Sequence, residues 1–381
     1  MDSDPSPWIP WMRRALQLAS LGAGHTSPNP LVGAVLLDAE GNWVGEGFHA
    51  RAGEPHAEAG ALAQAGERAR GGTLVVTLEP CCHHGRTPPC SQAVIAAGIR
   101  RVVVAMADPN PRVDGGGLAE LRRAGIEVLE GVLETEARRL NRAFLHRLAS
   151  RRPLGLLKWA MSLDGRTALP NGASQWISGP QAREWVHRLR AGCDAVIVGG
   201  GTLRADDPLL TSRGRRQPEP LRVVLSRSLD LPAQARLWNQ EVAATLVAHG
   251  PEPSAAARAR LEALKLQHPG LESLELPATS PAELFIALAE RGCNRVLWEC
   301  GPQLAAAALR QGCVQELAAV IAPKLLGGEP ARTPLGHLGG ESMADAWMLS
   351  AGERRWLEGD LLWQASVAPP ARDGDSSLSL G

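Results

Sequence analysis

Thr73-Leu-Val-Val-Thr-Leu-Glu-Pro-Cys-Cys-His-His-Gly-Arg-Thr-Pro-Pro-Cys90 is the stretch from which the fold and the chemistry are read. Its first six residues form a short apolar run of the kind that makes a strand buried on both faces. Pro80-Cys81 follows the strand, and Cys90 opens a helical stretch over 91–97 that Gly98 closes. Upstream, His56-Ala57-Glu58 begins an alanine-rich helix over 56–70, ended by Gly71-Gly72. One imidazole and two thiolates, from His56, Cys81 and Cys90, leave zinc's fourth tetrahedral position open to water, the catalytic arrangement. Glu58, two residues from His56, is placed to move protons without being a ligand. Hydrolytic removal of an amino group from a heterocycle requires this His-x-Glu and Pro-Cys pairing. The competing reading is a closed structural zinc site, its fourth ligand drawn from Cys82, His83 or His84. Such a site has no use for Glu58.

Working outward, strands are expected at 31–37, 101–106 and 126–129, and helices at 8–21 and 117–124. This alternation implies a sheet covered by helices on both faces. Residues 133–147 read as one long helix with a solvated, arginine-bearing face. Ser150-Arg-Arg-Pro153 interrupts the pattern, because proline restricts the residue before it. A first domain is therefore expected over 1–150 and a second over 151–368, with 369–381 a polar, disordered tail. The second domain has strands at 154–161, 194–198, 221–225, 243–248 and 295–298. Its helices are expected at 180–191, 254–264 and 281–291.

The composition agrees with this division. A chain of 381 residues is too long for one ordinary core. Forty Lys and Arg balance forty Asp and Glu, so no bulk charge draws the protein to nucleic acid. No apolar run is long enough to span a membrane, and Met1-Asp2-Ser3-Asp4-Pro5 is not a secretory signal. A cytoplasmic protein is expected. Seven cysteines, an odd number, point to metal or thiol chemistry rather than a disulfide framework. With no tyrosine in the chain, a tyrosine general acid is excluded.

In the second half, several motifs lie where strand ends open into glycine turns or helix starts. They are Lys158-Trp-Ala-Met-Ser-Leu-Asp-Gly-Arg-Thr167, Ser174-Gln-Trp-Ile-Ser178, Gly199-Gly-Gly-Thr202, Ala205-Asp-Asp-Pro-Leu-Leu-Thr-Ser-Arg213 and Glu299-Cys-Gly-Pro-Gln-Leu304. An open parallel sheet holds its ligand at such strand ends. Gly301-Pro302 at a helix start offers free N–H groups to a phosphate. Gly199-Gly-Gly-Thr202 reads as a tight turn. Ser226-Arg227-Ser228 leaves the strand at 221–225, and an arginine at such a strand end suits the 2′-phosphate of a dinucleotide. A solvated turn residue is the alternative.

The chain resembles the bifunctional riboflavin-biosynthesis enzymes, in which a pyrimidine deaminase is fused to a reductase. The resemblance rests on Ser27-Pro-Asn-Pro-Leu-Val-Gly33, His56-Ala-Glu58, the 79–90 stretch, Asp108-Pro-Asn-Pro111 and the 115–126 stretch GGGLAELRRAGI, together with the second-half motifs. It implies a cytidine-deaminase-like α/β/α sandwich followed by a dihydrofolate-reductase-like, doubly wound α/β domain. It implies one zinc on His56, Cys81 and Cys90, with Glu58 as proton shuttle. Cys82, where the family often has serine, is excluded as a ligand. Asn29 is implied to meet the pyrimidine, with a plain turn residue as the alternative, and His83 and Arg86 to lie near a substrate phosphate. NADPH contacts are implied at Ala160, Trp176, Thr202 and Asp206, and at Gly301, Pro302, Gln303, Leu304, Ala305, Ala306 and Ala307. Substrate contacts are implied at Ser174, Arg190, Leu209, Arg213 and Glu299, the two arginines suiting a ribose phosphate. The remaining thiols, Cys193, Cys293 and Cys313, read as buried structural residues. The expected protein is a homo-oligomeric hydrolase and oxidoreductase acting on a small pyrimidine ribose phosphate. The runner-up is a nucleoside or tRNA-base deaminase with an unrelated C-terminal domain.

Overall fold

The computed structural model describes residues 4–83, 89–110, 113, 115–350 and 352–370. The chain divides into two compact units at the Arg151–Arg152 bond.

The first unit contains α1 (Ile9–Ser20), β1 (Gly33–Leu37), β2 (Trp43–Phe48), α2 (Ala57–Ala65), β3 (Thr73–Val76), α3 (Cys90–Ala96), β4 (Arg101–Val104), α4 (Gly116–Arg123), β5 (Glu127–Glu130), α5 (Glu134–Leu140) and α6 (Arg142–Ser150). Its sheet runs β2-β1-β3-β4-β5. β1 is antiparallel to both neighbours, and β3, β4 and β5 are parallel. Alternate residues serve opposite faces. Ala34, Leu36, Val76 and Val102 pack under α2, α3 and α4. Val35, Leu37, Val75 and Val103 pack against Met12, Ala15 and Leu18 of α1. Burial on both faces is why these strands read as unbroken apolar runs.

Two features of this unit differ from expectation. β2 escaped notice because glycines interrupt it. A Cβ on Gly45 would lie 2.4 Å from the Ala61 carbonyl, and one on Gly47 2.4 Å from that of Ala57. The alanine face of α2 rests directly on the strand backbone, which only glycine permits. The long helix expected over 133–147 is two helices, broken at Asn141. That side chain is buried and turned to Leu31: its Oδ1 accepts from Leu31 N at 2.8 Å and its Nδ2 donates to Leu31 O at 2.9 Å. Asparagine bonds nearby or distant backbone readily at the expense of its own helix.

The second unit contains β6 (Leu154–Ser162), α7 (Pro180–Ala191), β7 (Ala195–Gly199), α8 (Gly200–Asp206), β8 (Leu221–Leu225), β9 (Thr245–His249), α9 (Ala255–Gln267), β10 (Glu272–Glu275), α10 (Pro281–Glu290), β11 (Arg295–Trp298), α11 (Pro302–Arg310), β12 (Glu316–Ala322), β13 (Met348–Leu349), β14 (Glu353–Leu357) and β15 (Asp360–Ala368). The strand order is β10-β9-β8-β7-β11-β6-β12-β15, with β13 and β14 both antiparallel to β15. From β10 to β12 the strands are parallel. α7 and α9 pack on one face, against Val196, Val198, Val224 and Val247. α10 and α11 cover the other, against Ile197, Val223, Val296 and Trp298.

The expected tight turn at Gly199–Thr202 is instead the start of α8, with Gly199 as its N-cap. β10, β12 and the hairpin strands at the end of the chain were not expected. β12 is Glu-Leu-Ala-Ala-Val-Ile-Ala, and its length and composition suit a helix or a strand. Its place between β6 and β15 makes it a strand.

Candidate active sites

In the first unit, α2 begins at its N-cap, His56, and α3 begins at Cys90, while Cys81 follows the end of β3. Among the described residues, His56, Cys81 and Cys90 bring their ligand atoms within 4.8 Å of one another. His56 Nδ1 lies 3.2 Å from Cys90 Sγ and 3.6 Å from Cys81 Sγ. The Cys90 thiol and then the His56 ring, bonded to the Cys81 sulfur, hold that thiol below its ordinary pKa. The same contact, together with burial, pushes Cys90 up. This donor set fits zinc: one borderline nitrogen and two soft sulfurs converge, and a metal resolves the competition between the thiols by ionising both. Cys82 is not part of the group; its sulfur packs toward Gly116.

Glu58 is 3% exposed, and its Oε2 has no hydrogen-bond partner in the protein. Burial raises its carboxyl above the ordinary carboxylate range. A carboxyl that holds a proton more readily than usual, beside a zinc ligand set, suits proton transfer.

Asn29 joins this centre through a residue that sequence reading passed over. Asn29 Nδ2 lies 3.0 Å from His49 Nε2, and His49 Nδ1 lies 3.2 Å from the Pro55 carbonyl. The His49 ring meets the His56 ring edge-on, with centroids 5.4 Å apart. A lone histidine in Gly-Phe-His carries no local signal; only the pairing of β1 with β2 brings it here. Glu79 is a second residue whose role only the fold shows. Its buried carboxylate accepts from Asp108 N and Gly115 N through Oε2, and from Gly117 N and Leu118 N through Oε1. It binds the Cys81 loop to the start of α4. His84 and Arg86 lie outside the described residues.

In the second unit, β7 and β11 are neighbours, yet β7 leads into α8 and β11 into α11. Leu203 of α8 packs on one face of the sheet, and Ala305, Ala308 and Leu309 of α11 pack on the other. This divergence makes the carboxyl ends of β7 and β11 the topological switch point, the place at which open α/β sheets form the crevice that binds nucleotides. Thr202 and Gly301 face each other there: a Cβ on Gly301 would meet Thr202 Oγ1 at 3.5 Å, and one on Gly201 would meet nothing within 4 Å. That open glycine-lined space fits a dinucleotide phosphate against α11, whose first residues are Pro302, Gln303 and Leu304. Ser174 Oγ donates to Asp206 Oδ1 at 3.2 Å. Trp176 is 63% exposed, with the Arg183 guanidinium 4.6 Å above its ring.

The Arg190 fork does not stand open for a phosphate. Nε donates to Glu299 Oε1 at 2.6 Å and Nη2 to Oε2 at 3.1 Å, while Nη1 donates to the Thr211 carbonyl. Lys158 Nζ, from the first motif of this half, lies 3.6 Å from Glu299 Oε2. Burial works to raise the Glu299 pKa, but Arg190 and then Lys158 outweigh it and bring it down to about 2. Burial also lowers the Lys158 ammonium. Leu209 is half-buried, while the neighbouring Leu210 is buried with φ of 55°. Arg213 is exposed; the His187 ring of α7 is lowered chiefly by burial, then by Arg190 and Arg213. Arg227 is exposed at the end of β8, one strand from Gly199, which pairs with Leu225.

Residues 153–352 match the model of the RibD C-terminal domain, and residues 9–106 match the cytidine and deoxycytidylate deaminase zinc-binding region. The riboflavin biosynthesis protein RibD of Synechocystis is 50% identical over 367 residues, covering 96% of this chain and 98% of that protein. The chain belongs to the RibD family. Acinetobacter baumannii RibD, in one crystal form, is 38% identical with a TM-score of 0.85, over 96% of this chain and 100% of that one. A Thermotoga maritima diaminohydroxyphosphoribosylaminopyrimidine deaminase/5-amino-6-(5-phosphoribosylamino)uracil reductase is 34% identical with a TM-score of 0.84, over 96% and 99%. Like other RibD proteins this one is a bifunctional riboflavin biosynthesis enzyme, a zinc deaminase joined to an NADPH-dependent reductase. A deaminase with an unrelated C-terminal domain is excluded by the match over 153–352. Among the described residues, no helix is long and apolar enough to cross a membrane.

Proposed function

We propose that the first unit hydrolyses the 2-amino group of 2,5-diamino-6-ribosylamino-4(3H)-pyrimidinone 5′-phosphate, releasing ammonia. The second then reduces the ribosyl side chain of the product to ribityl. The observation that carries the deaminase half is the buried, unpartnered Glu58 oxygen beside three converging zinc ligands. His56, Cys81 and Cys90 hold the metal. Bound zinc supplies the Lewis acidity that makes hydroxide available near neutral pH. Glu58 would take the first proton from water and pass it to the ring nitrogen. As the C–N bond breaks it would take the second proton from the hydroxyl now on the ring carbon and deliver it to the leaving amine, which departs as ammonia while the carbonyl forms. Asn29, its amide oriented by His49, pairs with the pyrimidine edge.

In the reductase, Thr202, Asp206, Ala160, Trp176 and the segment Gly301 to Ala307 hold NADPH along the crevice. The nicotinamide supplies the hydride. Ser174, Leu209, Arg213 and the Arg190–Glu299 pair face the substrate. Because its fork is held by Glu299, Arg190 acts as part of that pair, and Arg213 becomes the stronger candidate for the ribose phosphate. Arg227, at the end of β8, selects the 2′-phosphate. This reading makes the protein a cytoplasmic homo-oligomer acting on a small molecule rather than on nucleic acid.

The experiment supplies zinc-loaded enzyme with the diaminopyrimidine, following ammonia release and NADPH oxidation together. Ammonia without any zinc dependence, or no turnover of this substrate, would sink the assignment. For the cofactor, Arg227→Ala is expected to lose roughly tenfold or more in kcat/KM with NADPH and to change little with NADH. Equal losses would remove Arg227 from the phosphate site.

A further inference from the structure

The deaminase-region match ends at residue 106 and the C-terminal-domain match begins at 153. α5 and α6 lie between them, in neither matched segment. They nevertheless grip the turn that carries Asn29. Asn141, at the α5–α6 joint, is 2% exposed, and its amide satisfies both backbone polar groups of Leu31. Arg147 of α6 donates from Nη2 to the Pro28 carbonyl at 3.1 Å. The turn is thus pinned on either side of Asn29. Within it, Asn29 N donates to the Thr26 carbonyl at 2.8 Å.

The side chain of Asn29 continues the chain of contacts toward the metal centre. Its Nδ2 donates to His49 Nε2, so that nitrogen is an acceptor and Nδ1 carries the proton given to the Pro55 carbonyl. One tautomer satisfies both bonds, and burial favours the neutral ring. His49 then meets His56 edge-on. From Asn141 to a zinc ligand the path is continuous: Leu31, Asn29, His49, His56.

We propose that Asn141 is a positioning residue for pyrimidine recognition, setting the attitude of the Asn29 amide from the α5–α6 joint. The inference rests on the reading that Asn29 meets the pyrimidine. An amide reads a heterocycle edge by donor and acceptor directions, and these hold only while the backbone beneath them is held. Leu31 follows the Pro28-Asn29-Pro30 turn directly. Freeing its N–H and C=O lets the turn rotate, and the amide with it, without touching any zinc ligand.

The test uses the full-length, zinc-loaded enzyme with the diaminopyrimidine substrate. Asn141→Ala should raise KM about tenfold, the worth of one good hydrogen bond, with kcat within about twofold. Zinc stoichiometry and reductase turnover should stay unchanged. Asn29→Ala should raise KM as well. Because the clamp acts only through Asn29, the double variant should be no worse than Asn29→Ala alone. Multiplying effects in the double variant, a fall in kcat at constant KM, or loss of zinc would each overturn the proposal. If Asn29→Ala raises KM and Asn141→Ala does not, the proposal fails and the reading of Asn29 stands. If Asn29→Ala leaves KM unchanged, both fail. Should Asn141→Ala not fold, Arg147→Ala, which frees the Pro28 carbonyl on the other side of Asn29, decides by the same criteria with a smaller rise, about threefold.

Discussion

Glu58 is buried and Glu299 is largely enclosed, with its side chain 11% exposed, and their neighbours send the two carboxyls in opposite directions. Glu58 has an oxygen with no partner and is raised by burial. Glu299 faces Arg190 and Lys158 and is brought down to about 2. Glu58→Gln removes a proton carrier but no ligand. Metal analysis should find zinc retained while ammonia release falls ~10²–10⁴-fold, the usual worth of general acid–base catalysis. The neighbouring cysteines should divide sharply. Cys81→Ser and Cys90→Ser exchange a soft thiolate for a hydroxyl and should lose zinc, whereas Cys82→Ser should keep it. For Glu299 the prediction is one of pH. Its pKa lies below the ordinary 4.5, so its pairing stabilises the fold above that value, and the contribution is lost as pH falls toward 2. The loss is at most roughly 3 kcal/mol. Acid unfolding of the second unit should therefore show a pH-dependent component between about 4.5 and 2 that Glu299→Gln lacks; matching pH profiles would deny the pair this role. Among candidate site residues, the converging His56, Cys81 and Cys90 and the buried Glu58 were legible as a group because each is announced by its own neighbours in the chain. The Arg190–Glu299 pair was not, because nothing local to an arginine in a helix says that a glutamate 109 positions away will occupy its fork.

At the scale of elements, the Gly115-Gly116-Gly117 run shows how a sequence motif acquires its physical meaning. Gly115 has φ of 77°, a conformation that favours glycine. A Cβ on Gly117 would stand 2.0 Å from the Pro80 carbonyl. The start of α4 therefore touches the backbone beside Cys81, where Glu79 collects the N–H groups of Gly117 and Leu118. Gly117→Ala should push α4 off that loop and destabilise the first unit by about 1–3 kcal/mol, as overpacking does. Thermal unfolding and zinc affinity should both register the change while NADPH binding stays constant; unaltered zinc affinity would show that α4 does not support the metal loop. The same principle explains the strand that was missed. Glycine in β2 is the condition for α2 to lie against the sheet.

For the molecule as a whole, the Arg151–Arg152 division predicts separable activities. A 152–381 fragment should fold and bind NADPH, read by nucleotide fluorescence, and should reduce the deaminated pyrimidine supplied to it. A fragment that folds by circular dichroism and yet fails to bind the nucleotide would contradict the assignment of the crevice. The amino-acid sequence by itself determined the alternation of strands and helices, the two-unit plan and the residue types of the zinc site. These are local properties: apolar periodicity, glycine and proline punctuation, and ligands set at the ends of adjacent elements. Tertiary structure alone decided that β12 is a strand, that the helices following the paired strands β7 and β11 leave for opposite faces of the sheet, that His49 stands behind Asn29, and that Asn141 reaches Leu31 across 110 residues. Each of these depends on a contact between distant segments, whose energy is set by the geometry of packing and leaves no periodic trace in the chain.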